Sequence, residues 1–281
     1  MAVVTFVSAS GSPGVTATTL ALATVWPRPV LLVEADPTGG SGLLAGWWKG
    51  SRNHPGLVDL VTAHRDGLLA ETLPQLALPI ENSMASVLVG SRSHEQAAGL
   101  ARLWEPLADV VNEMSAGGQD ILIDAGRLGL DGWPEPLVRG ADLTVLLTHT
   151  TLPALAAAMS WAGALAEDIL PGHDVRVMLV GSGRPYGSAE VSHTLGLRVV
   201  GEISWDPRRA AVFSDGAPYP AMSGWRRLVN RKDGAERGFL GSRYLRSVRA
   251  AGEAVRAVLG APGRVDSGEV RVGQAGRLAD D

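Results

Sequence analysis

Short apolar runs alternate with longer amphipathic stretches along most of the chain. Continuous apolar runs of this length, separated by helices, are typical of a parallel sheet that is covered on both faces. The strands predicted in this way are Val3–Val7, Val30–Val33, Ala85–Val89, Ile121–Ile123, Leu143–Leu147, Val175–Val180 and Leu197–Gly201. The helices predicted between and after them are Thr16–Trp26, Leu57–Ala63, Leu68–Leu73, Glu95–Met114, Leu152–Leu170, Ser188–Leu195 and Leu240–Leu259. The pattern therefore predicts an α/β fold with a doubly wound, mostly parallel sheet.

The C-terminal part of the chain differs from the rest in charge. Nine basic and three acidic residues lie between Arg226 and Arg256, although the whole chain carries a net charge of −4. We predict a main domain over residues 1–225, a basic amphipathic helical extension over 226–260 that packs on it or projects from it, and a disordered tail over 261–281.

The last predicted helix carries its arginines on one face and its apolar residues on the other. The arginines are Arg243, Arg246, Arg249 and Arg256. Three roles remain open for this face: a solvated surface of a packed helix, non-specific contact with DNA phosphates, or contact with a membrane surface. The membrane role is least favoured because the apolar face consists mainly of Val and Ala.

Composition narrows the function classes. The chain contains no cysteine, which excludes disulfide and thiolate chemistry, and its six histidines show no metal-ligand spacing. The chain contains no apolar run of 18 residues, so the sequence predicts no transmembrane helix. The first residues lack the basic region of a secretory signal. We expect a cytoplasmic protein.

The stretch from Ser8 to Ala23 predicts a strand, a glycine-bearing loop and a helix. Gly11-Ser12-Pro13-Gly14-Val15-Thr16-Ala17-Thr18 follows most of the phosphate-loop pattern G-x-x-x-x-G-K-[ST], and Thr19 continues the helix. Such a loop directs backbone N–H groups into one concavity that favours an anion. The second glycine is replaced by Thr16 and the lysine by Ala17.

Two carboxylates follow predicted strands. Asp36 comes shortly after the second strand, and Asp124 comes directly after Ile121–Ile123. Ligands bind at the carboxyl edge of sheets of this kind, and an acid at this position holds Mg²⁺ in phosphate-loop proteins.

In their order and spacing, four segments resemble the ParA/MinD family of deviant Walker A P-loop ATPases. They are VTFVSASGSPGVTATTLALA, PVLLVEADPTGGSG, QDILIDAGR and VVGEISWDPRRAAVFSDGAPYP. The resemblance implies a P-loop NTPase-like fold, bound ATP and Mg²⁺, a homodimer, a protein partner and a positional, partitioning or assembly role in bacterial cells. It also implies a cytoplasmic location with recruitment to the nucleoid or the membrane.

The resemblance also implies roles for individual residues. Thr18 would be the Mg²⁺-ligating hydroxyl, Asp124 the Mg²⁺-associated acid and Asp36 the acid associated with the attacking water. Asp206 and Pro207 would lie near the base. The remaining nucleotide contacts would come from the loop residues Gly11, Ser12, Pro13, Gly14, Val15, Thr16, Ala17, Thr18 and Thr19.

The departures from the family pattern concern charge and base recognition. The family places lysines at the positions taken here by Ser12 and Ala17, and many members carry an Asn at the position of Gly181-Ser182-Gly183. Because phosphoryl transfer depends on positioning and electrostatics, we expect weak or absent hydrolysis.

Two alternatives to a ParA/MinD-like protein that binds ATP and Mg²⁺ remain. The first is a pseudo-ATPase scaffold that keeps the fold and binds a partner without nucleotide. The second is a Rossmann dinucleotide site in which Glu34 binds the ribose, although the glycine spacing does not match that motif.

Overall fold

The computed structural model of the chain describes residues 1–10, 13–50, 53–220 and 231–260. Gly11 and Ser12 of the predicted loop, residues 226–230 of the predicted extension and the predicted tail 261–281 lie outside the described residues.

The described residues form one eight-stranded sheet in the order β3-β4-β2-β5-β1-β6-β7-β8. Every neighbouring pair is parallel except β3–β4, which is antiparallel. The strands are β1 Val3–Ser8, β2 Val30–Glu34, β3 Leu78–Pro79, β4 Ala85–Leu88, β5 Asp120–Arg127, β6 Leu143–His149, β7 Val175–Val180 and β8 Arg198–Ile203. The prediction of an α/β, mostly parallel sheet is therefore confirmed.

The position of β5 decides between two nucleotide-binding topologies. β5 lies between β1 and β2 and pairs with both, so that the first two strands are not neighbours. In a Rossmann sheet the first two strands are adjacent. The Rossmann alternative is therefore wrong. Because β5 is next to β1, Asp124 in the second half of β5 lies opposite Phe6 of β1, close to where the loop after β1 begins.

The helices cover both faces of the sheet. They are α1 Val15–Val25, α2 Leu57–Arg65, α3 Leu69–Leu76, α4 His94–Gly99, α5 Trp104–Ala116, α6 Glu135–Arg139, α7 Leu152–Gly163, α8 Ser188–Leu195, α9 Pro207–Ser214, α10 Arg231–Leu240 and α11 Arg243–Leu259. Two π-helical turns, Leu43–Trp47 and Ala164–Ile169, and a 3₁₀ turn, Leu100–Arg102, complete the set.

The single helix predicted over Glu95–Met114 is divided into α4, the 3₁₀ turn and α5. Pro106 accounts for the division, because proline donates no backbone hydrogen bond and its ring clashes with the carbonyl four residues earlier. Proline is tolerated in the first turn of α5, where that donor has no partner within the helix.

The core consists of two apolar layers, one on each side of the sheet. Trp104, Leu107 and Leu60 lie in one layer, and Leu20 of α1 and Val248 of α11 lie in the other. The helices α1, α9 and α11 thus share one side of the sheet.

The helix α11 packs on the sheet rather than projecting from it. Its residues Tyr244, Leu245, Val248 and Val255 are almost completely buried. A Cβ atom on Gly201 of β8 would lie 3.0 Å from the Cβ of Ala251, so the glycine lets helix and strand approach closely. The division into separate segments at residues 225 and 260 stays a prediction.

Candidate functional site

The loop after β1 enters helix α1 through a glycine in a left-handed conformation. Gly14 has φ 85°, and its carbonyl oxygen accepts the first hydrogen bond of the helix from the Thr18 N–H at 2.9 Å. A residue with a side chain rarely adopts this φ, so glycine is required here. Val15 and Ala17 are buried, whereas Thr16 is half-buried at the carboxyl edge of the sheet.

Thr16, rather than the predicted Thr18, contacts Asp124, which lies in the second half of β5. Its Oγ1 donates a hydrogen bond to Asp124 Oδ2 at 2.5 Å. The other carboxylate oxygen, Oδ1, accepts from the Gly126 N–H at 3.1 Å. Thr18 is 3% exposed within α1, and no hydrogen bond joins it to Asp124 in the described part of the chain. The assignment of Thr18 as a Mg²⁺ ligand stays a prediction, and no hydrogen bond to Asp124 supports it.

The observed end of β1 identifies Thr16 as the final Ser/Thr of the pattern, whereas the strand end predicted from the sequence, Val7, does not. β1 ends at Ser8, and counting the phosphate-loop pattern from that end places its final Ser/Thr position at Thr16. Counting from the first available glycine, Gly11, displaces the pattern by two residues.

Asp124 is fully buried without a cationic partner among the described residues. Loss of hydration raises its pKa to about 7, against the lowering effect of the Thr16 hydrogen bond. The negative charges of Asp36 and Glu34 raise the pKa further. A cation bound at this site would therefore stabilise the ionised form of Asp124.

Glu34, at the end of β2, joins the two loops beside this acid. Its carboxylate accepts hydrogen bonds from Ser41 Oγ at 2.5 Å, from the Leu43 N–H at 3.0 Å and from the Gly90 N–H at 2.9 Å. Burial raises the pKa of Glu34, although these hydrogen bonds act in the opposite direction. Because both oxygens are engaged inside the protein, Glu34 fixes the loops. No pattern in the sequence indicates this role.

Asp36 lies close to Asp124 but is held by its own loop. It accepts hydrogen bonds from the Thr38 N–H at 2.8 Å and from Thr38 Oγ1 at 2.7 Å. A Cβ atom on Gly126, which has φ 64°, would lie 2.4 Å from the Asp36 carboxyl carbon. Glycine at 126 therefore allows Asp36 to sit against the end of β5. Its role toward an attacking water stays a prediction.

A small cavity of about 100 Å³ opens between these groups, and no basic side chain lines it in the described residues. Ser91, which is 2% exposed, lies in its wall, and its Oγ has no hydrogen-bond partner among the described residues. The described residues contain no cluster of three or more His, Cys, Asp or Glu side chains able to hold a metal ion. Mg²⁺ commonly takes one or two protein carboxylates and completes its shell with phosphates and water. Thr16 and Asp124 fit that manner of binding.

The other predicted loop residues line the approach or the core. Pro13 is buried before Gly14, and Thr19 is completely buried with its Oγ1 donating to the Thr16 carbonyl at 3.1 Å. Thr19 therefore supports the turn that presents Thr16.

Asp206 and Pro207 begin α9. The Asp206 side chain accepts a hydrogen bond from the Arg209 N–H at 3.1 Å and forms a salt bridge with the Arg209 guanidinium. Pro207 occupies the first helical position, where its missing N–H costs nothing. These contacts are those of a helix cap. That Asp206 and Pro207 lie near the base of a bound nucleotide stays a prediction.

The arginines of α11 do not form one uniform surface. Arg243 and Arg246 are exposed, and Arg249 donates to the Leu240 carbonyl at 2.8 Å. The Arg256 guanidinium lies over the Trp26 ring, 5.9 Å from its centroid. Arg256 is thus engaged in packing, and the exposed part of the basic face is smaller than the sequence predicted.

No helix in the described ranges is long and apolar enough to cross a membrane.

Neither the family models nor the curated proteins that were compared with the chain gave a match. The comparison with solved structures gave matches. The cell division ATPase MinD of Pyrococcus furiosus superposes with a TM-score of 0.68 and 17% identity over 92% of this chain and 99% of that one. The ParA family ATPase of Chlorobium tepidum superposes with a TM-score of 0.67 and 17% identity, over 90% of this chain and 97% of that one. The septum site-determining protein MinD of Pyrococcus horikoshii, complexed with Mg-ADP, superposes with a TM-score of 0.67 and 18% identity, over 92% of this chain and 97% of that one.

These similarities extend over nearly the whole of both chains, at identities that establish architecture only. The mostly parallel eight-stranded sheet with helices on both faces agrees with that architecture. The chain has the ParA/MinD-like fold, an α/β fold of the P-loop NTPase type.

Proposed function

We propose that the chain binds a Mg²⁺–nucleotide of the ATP type at the loop after β1 and acts as an atypical ParA/MinD-like positioning or assembly protein. The observation that carries the proposal is the hydrogen bond of 2.5 Å between Thr16 Oγ1 and Asp124 Oδ2. In phosphate-loop proteins a loop Ser or Thr and a strand-end Asp together hold Mg²⁺. Magnesium bound there would neutralise the buried Asp124 and the nucleotide phosphates.

The geometry favours a motif that runs from Ala9 to Thr16. In this register Gly14 is the second glycine of the pattern, Val15 stands at the lysine position and Ser10 at the position of the second family lysine. In the register predicted from the sequence these positions are Ala17 and Ser12. Both lysines are missing in either register, so the expectation of weak hydrolysis does not depend on the choice.

Loss of the lysines removes charge neutralisation at the phosphates. Removal of one well-placed electrostatic donor typically costs on the order of 10²–10³ in rate. The side chain of Val15 is almost completely buried and apolar, so it supplies no replacement. We therefore propose a nucleotide-dependent conformational role with little or no turnover.

The neighbouring structures support the nature of the ligand and of the partners. One MinD is complexed with Mg-ADP, an McdA variant of Cyanothece with ATP, and an Aquifex aeolicus MinD with MinC. By analogy we propose ATP and Mg²⁺ as ligands and a protein partner. A homodimer and action in the cytoplasm stay proposals that rest on the sequence resemblance. Contact of Arg243 and Arg246 with DNA stays a prediction from the sequence.

The test is a titration of the chain with Mg²⁺–ATP, followed by thermal stabilisation and by phosphate release. Ligand at 100 times its dissociation constant stabilises the folded state by about 2.7 kcal/mol. Thr16→Val should weaken binding at least tenfold, because the hydroxyl beside Asp124 is lost. Thr18→Val is the matched control and should bind as the wild type does.

Each alternative has its own outcome in this experiment. A loss caused by Thr18→Val and not by Thr16→Val would restore the register predicted from the sequence. Absence of binding at millimolar nucleotide would reject the nucleotide proposal and leave the pseudo-ATPase scaffold.

A further inference from the structure

A second cavity, of about 480 Å³, lies on the side of the sheet that α1, α9 and α11 cover. Its volume falls within the range of small-molecule sites. Its wall includes Thr24 near the end of α1, about 12 Å along that helix from Thr16. None of the described residues in its wall lines the small cavity near Asp124. The second cavity is therefore separate from the proposed nucleotide site.

Aromatic side chains form a large part of the wall. The chain has three phenylalanines and three tyrosines, and two of the former and one of the latter lie here beside two tryptophans. The aromatic residues of the wall are Trp47, Trp48, Phe213, Tyr219 and Phe239. They come from the end of the first π-helical turn, from α9 and the loop after it, and from α10. A concave aromatic wall drawn from several segments is typical of small-molecule sites.

Buried rings support the partly exposed ones. The Trp47 ring stacks on Phe213 with 5.6 Å between the centroids, and the Tyr219 ring stacks on Phe239 at 4.9 Å. Phe213 and Phe239 are almost completely buried and contact each other at 5.8 Å. Trp47 is half-buried, and Tyr219 is 39% exposed. The partly exposed rings are therefore held in position before a ligand arrives.

The charged residues of the wall favour a cationic ligand. Glu81 and Glu236 are the acids of the described wall, and neither forms a salt bridge with a described residue. Burial and then the charge of Glu236 raise the pKa of the Tyr219 hydroxyl, which places this carboxylate near the aromatic wall. Arg249 is the basic residue of the described wall, and its guanidinium donates to the Leu240 carbonyl at 2.8 Å. The described wall thus carries an excess of negative charge.

Aromatic rings with a carboxylate nearby are the combination that binds alkylated ammonium groups. We propose that the cavity binds a small organic cation of this class, with the Trp47 and Tyr219 rings against its alkyl groups and Glu236 as its counter-ion. A quaternary ammonium group donates no hydrogen bond, so it needs no acceptors in the wall, and its methyl groups bury apolar surface against the rings. This inference goes beyond the proposed function and does not depend on it.

The experiment compares two probes on the full chain by calorimetry: choline, and 3,3-dimethylbutan-1-ol, its uncharged analogue with carbon in place of nitrogen. Choline should bind at least tenfold more tightly than the alcohol, because the rings and Glu236 attract only the cation. Glu236→Gln should weaken choline severalfold and leave the alcohol unchanged. Tyr219→Leu should weaken choline more than the alcohol, since it keeps an apolar surface and removes the ring. Glu253→Gln, at an exposed acid of α11 outside the cavity wall, is the matched control and should change neither affinity.

Three results would overturn the proposal: equal affinity for both probes, failure of choline to bind at millimolar concentration, or a choline affinity that Glu236→Gln leaves unchanged. Retention of the chain on phosphatidylcholine vesicles without binding of free choline would assign the cation to a lipid surface and would overturn the proposal as well. A thermal melt of each variant near that of the wild type shows that the fold is kept. The titration with Mg²⁺–ATP is a separate measurement, so failure of either proposal leaves the other intact.

Discussion

The strand β5 carries two buried carboxylates whose surroundings are opposite. Asp120, at the amino end, is 1% exposed and accepts hydrogen bonds from Trp26 Nε1 at 2.7 Å and from the Ala2 N–H at 3.1 Å. The Arg28 guanidinium forms a salt bridge with it at 2.7 Å. Its charge is therefore compensated inside the protein, and it ties the start of β1 and the end of α1 to β5.

Asp124, four residues further on, is completely buried with far weaker compensation. It receives one hydroxyl and one backbone N–H, and two other carboxylates lie near it. Uncompensated charge of this kind costs stability and is typical of functional sites. The carboxylate at the amino edge of the sheet therefore contributes to stability, whereas the one toward the carboxyl edge lacks a positive partner, which a bound cation would supply.

The largest expected effect concerns the pH dependence caused by Asp124. Its folded-state pKa of about 7 lies above the ordinary Asp value of 3.8. The wild type therefore has the full benefit of the protonated group below pH 4 and loses it as the pH rises to about 7. At 1.4 kcal/mol per unit, the loss amounts to about 4 kcal/mol at most. Asp124→Asn removes the titration, so it should stabilise the protein increasingly between pH 4 and pH 7.

Urea denaturation in EDTA at pH 5 and pH 8 measures this difference. The gain from Asp124→Asn should be larger at pH 8 than at pH 5, and it should level off above the folded-state pKa. A gain that is equal at both values would show that Asp124 is ionised in the folded protein throughout this range.

The opposite sign is expected at the other end of β5. Asp120→Ala leaves the Trp26 N–H and the Arg28 guanidinium without their acceptor, and removal of one partner of a buried ion pair costs about 3 kcal/mol. Arg28 is 38% exposed, so solvent compensates part of its charge and the lower end of the usual range applies. Equilibrium urea denaturation at pH 7 measures the loss.

Arg28→Gln is the control for this pair. It should cost less than Asp120→Ala, since Trp26 and the backbone of Ala2 continue to satisfy the carboxylate. If Asp120→Ala left the stability unchanged, the contrast between the two ends of β5 would not hold.

The sequence was sufficient for the seven parallel strands and for the position of their acids, because buried parallel strands are continuous apolar runs and Asp124 directly follows one. It did not predict the antiparallel edge strand β3, whose two residues Leu78 and Pro79 form no apolar run. It places Thr16 among the nucleotide contacts and assigns the Mg²⁺ role to Thr18, because the pattern starts at Gly11 in that register, whereas in the structure Thr16 contacts Asp124. The role of Glu34 was also missed. Its partners are the Leu43 and Gly90 N–H groups and a serine hydroxyl, and loop backbone groups leave no pattern in a sequence.

The smallest change in stability is expected at one hydroxyl in the wall of the small cavity. Ser91 Oγ is buried and has no hydrogen-bond partner among the described residues. Its neighbour in the same wall, Ser41, donates to Glu34 and accepts from the Leu44 N–H at 3.1 Å. Removing an unsatisfied buried group should stabilise the protein, so Ser91→Ala should raise the free energy of unfolding by about 1 kcal/mol. Ser41→Ala should lower it by about 2 kcal/mol, because a hydrogen bond to a buried carboxyl group is lost. Both are read from urea denaturation without nucleotide, and a loss of stability in Ser91→Ala would show that its hydroxyl is already satisfied in the free protein.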